Sequence, residues 1–185
     1  TNNTAFSNIG IGIHLYLSNG NSIASNTASN NWHGIYLRTS NDNTLTNNTA
    51  SSNNYVGLFL YSSSNNNITN NILKNNNKDV YDGAGISIKS TSNNNKIIDN
   101  SISNNTNGVI CIQANDNFIA DNNVSDNFCG IYVASPDNTI ASNTVSNNEY
   151  GIYIEYTSSN IIANNTVSSN NIAGIYLDSS ISNTI

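Results

Sequence analysis

Two pairs of aspartates occupy matching places in neighbouring units of a repeated sequence. Asp99 and Asp121 each stand immediately before a recurring asparagine, and Asp116 and Asp137 each stand in the turn that precedes it. Paired carboxylates are the groups that general acid–base chemistry and glycoside hydrolysis use. No Lys or Arg shares their position in the repeat. We therefore assign no catalytic residue, and an enzyme is left open as the weaker interpretation.

Histidine and cysteine are too few and too widely spaced to predict a metal site. Copper and zinc sites need clustered His, Cys or Met ligands. His14 and His33 differ by three strand positions, which is about 10 Å along a strand. Cys111 takes an inward position of its unit, and Cys129 lies four positions upstream of the equivalent position in the next unit. This offset places the two Cα atoms farther apart than the ~7 Å that a disulfide spans. We predict no metal, no cofactor and two free thiols, with Cys111 in the core.

Aromatic residues recur at one outward-facing position of the repeat. This column reads His14, Tyr36, Phe59, Ser87, Ile110, Tyr132, Tyr153 and Tyr176. Rings on neighbouring strands stabilise a parallel sheet by about 0.2–1 kcal/mol per pair, so packing alone is one explanation. A row of exposed rings can also lie against sugar rings or another protein. The candidates for carbohydrate or partner binding are Tyr36, Phe59, Tyr132, Tyr153 and Tyr176.

One unit carries an insertion, "NKDVYDGA" at residues 77–84, where the other units need only two or three residues. Insertions in solenoids map to loops on one face, and that face is often the functional one. Lys78, Tyr81 and Asp82 are therefore further candidates for contact with a glycan or an ion. A solvated loop without a ligand is the alternative.

These residues belong to units of 21–28 residues, each with three asparagine positions. Units begin at a glycine followed by an aliphatic residue, at Gly12, Gly34, Gly57, Gly85, Gly108, Gly130, Gly151 and Gly174. The asparagine two residues before an inward aliphatic is Asn21, Asn43, Asn66, Asn95, Asn117, Asn138, Asn160 or Asn183. The asparagine three residues after it is Asn26, Asn48, Asn71, Asn100, Asn122, Asn143 or Asn165, with Asn3 in a partial first unit. The third, five residues on, is Asn8, Asn31, Asn53, Asn76, Asn105, Asn127, Asn148 or Asn170.

The pattern is alternation interrupted at fixed corners, which no helical period produces. Two consecutive inward aliphatic residues lie five positions apart, on either side of the second of the three asparagine positions. Because side chains alternate along a strand, residues an odd number of positions apart point to opposite faces, so a bend is required between them. Asn tolerates the left-handed backbone conformation, so we expect the recurring asparagine to occupy the bend. Like asparagines stacked about 4.8 Å apart can also exchange amide hydrogen bonds. The sequence predicts an all-β fold: a right-handed, single-stranded parallel β-helix (β-solenoid) of about eight coils with asparagine ladders at its corners.

The motif "GIYI…NIIANNTVSSN" at residues 151–170 resembles the parallel β-helix repeats of the NosD-like and carbohydrate-binding/sugar-hydrolase group. The resemblance extends over the whole chain. Such repeats occur in archaeal and bacterial surface proteins, including disaggregatase-like proteins of methanogens. The resemblance implies a β-helix scaffold, which hosts several activities and does not select one.

Charge and hydropathy exclude two classes of partner. The net charge is −6 and only 9% of the residues are charged, so there is no basic stripe that could neutralise nucleic-acid phosphates. No apolar run approaches the ~20 residues that span a bilayer. Both ends lie in mid-unit, so we expect one domain over residues 1–185, cut in mid-coil at both ends.

Together these features indicate a structural or adhesive protein of the cell surface or extracellular space. The expected partners are a second copy, by head-to-tail stacking into a fibre or as part of a longer array, and a polysaccharide that contacts the aromatic column. The alternative is a carbohydrate-binding or polysaccharide-active, disaggregatase-like domain of a larger surface enzyme.

Overall fold

The computed structural model describes residues 1–76 and 83–185, and these residues form short strands joined by tight corners. The insertion candidates Lys78, Tyr81 and Asp82 lie outside the described residues. The described part of the chain contains no helix long and apolar enough to cross a membrane. Each coil contributes one strand to each of three parallel sheets, and neighbouring coils pair in register.

Sheet 1 is built from the long strands that contain the repeated glycines. Its strands are Ile11–Tyr16, His33–Arg38, Val56–Tyr61, Ala84–Lys89, Asn107–Ile112, Cys129–Ala134, Tyr150–Glu155 and Ala173–Asp178. Sheet 2 contains Ser22–Ala24, Thr44–Thr46, Asn67–Thr69, Lys96–Ile98, Phe118–Ala120, Thr139–Ala141 and Ile161–Ala163. Sheet 3 contains Thr4–Phe6, Thr27–Ser29, Thr49–Ser51, Ile72–Lys74, Ser101–Ser103, Asn123–Ser125, Thr144–Ser146 and Thr166–Ser168.

The core runs along the inside of the three sheets and is almost entirely aliphatic. In one coil Ile131 and Val133 of sheet 1, Ile140 of sheet 2 and Val145 of sheet 3 are all fully buried. Cys111 takes the same inward position as Val133 and is fully buried, and both cysteines are free thiols, as predicted. The stacked parallel sheets confirm the predicted parallel β-solenoid of about eight coils.

The three asparagine ladders lie inside the corners and join each coil to the next. Asn100 shows the arrangement. Its Oδ1 accepts hydrogen bonds from the backbone N–H and the Nδ2 of Asn71, at 2.9 and 3.0 Å. Its own Nδ2 donates to Oδ1 of Asn122 and to the backbone carbonyls of Ile68 and Ile98. Nearly every hydrogen-bonding capacity of this buried amide is used, so the predicted ladders are confirmed.

The bend itself is not made by the ladder asparagine, and that expectation was wrong. None of the ladder asparagines has a positive φ, whereas the residue before each one has φ between 54° and 67°. Ser142, at φ 57°, precedes Asn143, and Asp121, at φ 55°, precedes Asn122. The left-handed residue makes the turn and faces solvent, while the asparagine that follows turns its amide into the corner. Asn, Asp, Ser and Gly fill the left-handed position because it favours short polar side chains or none.

The four aspartates considered as possible catalytic pairs all occupy these left-handed positions. Asp99 and Asp121 precede asparagines of one ladder, and Asp116 and Asp137 precede asparagines of another, all at positive φ and exposed. Backbone geometry therefore accounts for their matching register without any catalytic role.

A fourth corner, between sheet 1 and sheet 2, is held by a column of hydroxyls that the sequence analysis missed. The backbone N–H of Ser40 donates to Oγ of Ser63 at 3.0 Å, and the backbone N–H of Ser63 donates to Oγ of Ser92 at 3.0 Å. Ala114 interrupts the column, yet its N–H still donates to Oγ of Ser135 in the next coil. The recurrence of Ser three residues before a ladder asparagine was the available signal.

The repeated glycine is required for space rather than for an unusual φ. A Cβ on Gly108 would lie 2.3 Å from the carbonyl oxygen of Gly130 and 2.5 Å from Cγ1 of Val124. At this glycine the strand of sheet 1 lies so close to the neighbouring coil and to sheet 3 that no side chain fits.

Removing a ladder amide should destabilise the protein far more than changing the exposed residue of a corner. Asn143→Ala leaves the buried N–H of Asn122 without its acceptor and removes the donor to the carbonyl of Ile119. Each buried polar group left unsatisfied costs about 1–3 kcal/mol, so we expect a loss of about 3 kcal/mol. Asn147 is exposed at φ 58°, and Asn147→Ala should cost only about 1 kcal/mol through the left-handed backbone.

Chemical denaturation of the two variants measures this difference. Asn147→Gly is the matched control, because glycine suits the left-handed conformation and should cost less than alanine there. Equal free energies of unfolding for Asn143→Ala and Asn147→Ala would contradict the role assigned to the ladder.

Candidate functional site

The outward column of sheet 1 is aligned as the sequence predicted, but it divides into two parts. Neighbouring strands pair His14 with Tyr36 and Tyr132 with Tyr153 in direct register. Between these ends lie Ser87 and Ile110, which are 1% and 2% exposed although they belong to the same outward column. The aromatic column is therefore not continuous, and each end forms its own cluster of rings.

The first aromatic cluster is a stack on the N-terminal coils. The rings of His14 and Tyr36 lie 5.1 Å apart, and those of Tyr36 and Phe59 lie 4.8 Å apart, both stacked. His33 packs beside this stack, with its ring 5.3 Å from that of Phe59. Tyr36 and Phe59 each use a ring face on a neighbour, so packing accounts for much of their placement.

His33 is buried, and its Nδ1 has no hydrogen-bond partner within residues 1–76 and 83–185. Burial, with a smaller contribution from the charge of the nearby His14, lowers the pKa of His33 from 6.5 to about 4. A buried imidazole with an unsatisfied nitrogen favours its neutral form because charging it would require desolvating the cation.

The second aromatic cluster lies on the C-terminal coils and is formed by Phe128, Tyr132, Tyr150, Tyr153 and Tyr176. Tyr150 stacks on Tyr153 at 5.4 Å, and Tyr153 contacts Tyr132 at 5.5 Å and Tyr176 at 5.1 Å. Phe128 meets Tyr150 edge-to-face at 6.0 Å and is 49% exposed. The five rings form one partly exposed surface, in contrast to the simple stack of the first cluster.

Two carboxylates hold the phenols of this cluster in place. Tyr132 Oη donates to Oε2 of Glu155, and Tyr153 Oη donates to Oε1 of Glu155 at 3.1 Å. Tyr153 Oη also lies 3.4 Å from Oδ2 of Asp178. Burial raises the pKa of Tyr153, and the hydrogen bond and charge of Glu155, with the charge of Asp178, raise it further. The tyrosines are thus fixed as neutral hydrogen-bond donors beside a negative charge.

A groove of about 370 Å³ runs along this cluster. The described residues that line it are Asn107, Ile110, Ile112, Phe128, Tyr132, Tyr150, Tyr153 and Glu155. Its volume lies in the range of small-ligand sites, and its combination of rings with a few polar groups is typical of them. The groove is our candidate binding site.

Of the five predicted aromatic candidates, the structure brings Tyr132, Tyr153 and Tyr176 together and places Tyr36 and Phe59 in the separate first cluster. Other rings that pack together were not predicted as a group, because they precede the repeated glycine and were not aligned as a column. These residues are Trp32, His33, Tyr55, Phe128 and Tyr150. Comparing the two positions before each glycine along the repeat would have identified them.

Comparisons with known proteins identify the repeat and the fold. The family model of the periplasmic copper-binding protein (NosD) matches residues 1–110 and 81–185, which together span the chain. A search of the curated proteins with this chain found no match. A crystal structure of a mutant of the periplasmic alginate epimerase AlgG is 25% identical, with a TM-score of 0.80, over 84% of this chain and 37% of its own. The chain therefore spans just over a third of that protein.

Two further solved structures share the fold. The A-module of the mannuronan C-5 epimerase AlgE6 from Azotobacter vinelandii is 19% identical, with a TM-score of 0.67, over 97% of this chain and 56% of its own. An alginate lyase from Paenibacillus sp. is 15% identical, with a TM-score of 0.59, over 94% of this chain and 78% of its own. At these identities the likeness concerns the fold alone.

The described residues do not fit a copper site. Residues 1–76 and 83–185 contain no group of three or more His, Cys, Asp or Glu side chains close enough to hold a metal ion. The thiol of Cys111 lies 3.1 Å from the carbonyl oxygen of Ala114, and burial raises its pKa to about 12. Burial raises the pKa of Cys129 as well. Neither thiol readily becomes the thiolate that binds a metal.

Acid should destabilise the protein partly through His33. The unfolded chain binds a proton below about pH 6.5, while the folded state resists protonation down to about pH 4. The stabilisation is therefore present above pH 6.5 and is lost as the pH falls toward 4. His33→Phe keeps a ring against Tyr36 and Phe59 but removes the titration. Its melting temperature should fall less between pH 7 and pH 4.5 than that of the parent.

His14→Phe is the comparison variant: it removes an exposed imidazole that stacks on the same Tyr36 and whose charge contributes less than burial to the pKa of His33, so it should reduce the pH dependence less than His33→Phe does. Thermal melts followed by circular dichroism at the two pH values give the comparison. An unchanged pH dependence in His33→Phe would show that the buried imidazole does not carry this effect.

Proposed function

The chain belongs to the family of periplasmic copper-binding proteins (NosD), and from this premise we propose that it is an exported β-solenoid that forms a structural or adhesive scaffold and binds a polysaccharide. The groove beside the second aromatic cluster is the observation that carries the proposal. A periplasmic family and a periplasmic structural neighbour support a location outside the cytoplasm. Copper is not part of the proposal, because the described residues do not fit it.

The groove offers the two kinds of contact that a sugar chain uses. A sugar ring has an apolar C–H face, which packs on aromatic rings such as those of Tyr132, Tyr150 and Tyr153. Its hydroxyls can donate to carboxylate and phenol oxygens, and Glu155 supplies a carboxylate between two phenols whose own protons it accepts. The phenols and the carboxylate are positioned before any ligand arrives, which reduces the ordering cost of binding.

Structural neighbours support a polysaccharide as the ligand class. AlgG, at 25% identity, is by its name an alginate epimerase, and the two more distant neighbours are by name a mannuronan epimerase and an alginate lyase. Proteins named for acting on polysaccharides thus share this parallel β-solenoid fold. Since this chain spans 37% of AlgG, we propose only the ligand class for it and not the reaction.

A polysaccharide-modifying enzyme, as in disaggregatase-like proteins, is the second candidate. The presence of two phenols on one carboxylate in the groove favours testing it. Incubation with surface polysaccharide, followed by assay for new reducing ends and unsaturated sugars, tests the activity directly. Product formation that is lost in Glu155→Gln would replace the binding proposal with an enzymatic one.

Removing the two central rings should weaken glycan binding strongly. Tyr132→Ala combined with Tyr153→Ala deletes the middle of the aromatic surface and both hydrogen bonds to Glu155. Stacking of a ring on a ligand contributes about 1 kcal/mol, so affinity on a glycan array should fall at least tenfold.

Tyr156→Ala is the matched control for this experiment. Tyr156 is 74% exposed but does not line the groove. The Tyr156→Ala variant should therefore bind glycans as the parent protein does. Unchanged binding in the double variant would confine Tyr132 and Tyr153 to packing.

Head-to-tail stacking into a fibre stays a prediction of the sequence analysis. Axial continuity at the coil repeat, seen by electron microscopy of the purified protein, would support it. Monodisperse short rods would contradict it.

A further inference from the structure

We infer that the groove beside the second aromatic cluster selects a glycan without negative charge, either neutral or amine-bearing, and rejects polyuronates. This inference rests on the proposed polysaccharide-binding function and specifies the chemical class of its ligand. It also separates this chain from its solved-structure neighbours, whose names refer to alginate and mannuronan.

Charge is divided unevenly along the solenoid. Residues 97–185 contain no Lys, Arg or His, and their acidic residues are Asp99, Asp116, Asp121, Asp126, Asp137, Glu149, Glu155 and Asp178. Residues 1–96 contain all five Lys and Arg residues and three Asp residues, which gives +2, so that −8 and +2 make the net charge of −6. The second aromatic cluster therefore stands on the acidic part of the solenoid, and the first cluster stands on the other part.

The groove itself carries negative charge. Glu155 lines it, and Asp178 occupies the same position as Glu155 in the next coil. Both carboxylates lie within hydrogen-bonding distance of Tyr153 Oη, so their charges are held close to the rings on which a sugar would lie. None of the described lining residues is cationic.

The segment between the two described ranges does not make the charge near the groove positive. Its sequence from 77 to 82 contains one lysine, Lys78, and two aspartates, Asp79 and Asp82. It therefore adds no net positive charge wherever it lies.

Coulomb repulsion between a ligand carboxylate and a carboxylate of the groove is large enough to select between glycans. Two like charges 4 Å apart repel by about 1 kcal/mol in water and by about 4 kcal/mol near a protein surface. A polyuronate carries one carboxylate on every sugar, so it cannot avoid Glu155 and Asp178 by shifting along the groove. An uncharged sugar meets no such repulsion, and an ammonium group on a glucosamine is attracted. Because 1.4 kcal/mol is a tenfold change in affinity, we expect at least a tenfold preference against uronates.

The test uses pairs of glycans that differ in charge on one backbone, printed on one array. Oligogalacturonate is compared with its methyl ester, and chitosan oligomers with their N-acetylated forms. We expect the tightest-bound glycans to lack carboxylates, and the binding of chitosan to weaken as salt is added. A uronate among the tightest-bound glycans, with its binding lost in the Tyr132→Ala plus Tyr153→Ala variant, would overturn the inference and leave the proposed function standing. Binding to no glycan would overturn both.

Variants identify the groove carboxylates as the source of the selection. Glu155→Gln combined with Asp178→Asn should raise uronate affinity relative to the neutral partner by about tenfold, because glutamine and asparagine still accept hydrogen bonds without the charge. Asp116→Asn combined with Asp137→Asn is the matched control: it removes two charges from the same acidic part, at exposed left-handed corners that asparagine also tolerates. An equal shift in the control and in the Glu155→Gln plus Asp178→Asn variant would show that net charge, and not the groove, sets the preference.

Discussion

The structure depends on one pair of buried hydrogen bonds, repeated at its corners, in which an asparagine Oδ1 accepts the backbone N–H and the side-chain amide of the asparagine in the neighbouring coil. At the corner of Asn122 these two bonds are both 3.0 Å long. A buried amide without partners would cost several kcal/mol, so a corner asparagine is stable only when the next coil supplies its partner. Each coil therefore requires its neighbours, and stability accumulates along the axis as in other repeat proteins.

This constraint also determines what can stand on the outer surface. Because the ladders keep the coils in register, residues at the same place in successive units come to lie side by side. Tyr153 and Tyr176 face each other in this way, and so do Glu155 and Asp178. A binding surface is thus made by what differs between units. The buried pair Ser87 and Ile110 interrupts the rings, and the C-terminal coils combine rings with the carboxylate of Glu155 in one groove.

The family name and the chemistry of this chain differ at one point. The family model is that of a periplasmic copper-binding protein, yet the described residues gather no set of metal ligands, and both thiols are buried. The repeat carries the family resemblance because it encodes corners and core. Ligand-binding groups lie on variable outward positions and can differ between proteins that share the same scaffold.

The sequence alone determined the parallel solenoid, its coil lengths, the inward aliphatic columns and the alignment of Tyr132 with Tyr153, because one hydrophobic period with regular asparagines admits a single register. It did not show that Ser142 rather than Asn143 makes the bend, since both residue types tolerate a left-handed backbone and only the folded chain distinguishes them. Nor did it show that Phe128 and Tyr150 join the groove, or that Glu155 binds two phenols. Those contacts depend on side-chain directions across coils more than 20 residues apart, and only tertiary structure decides them.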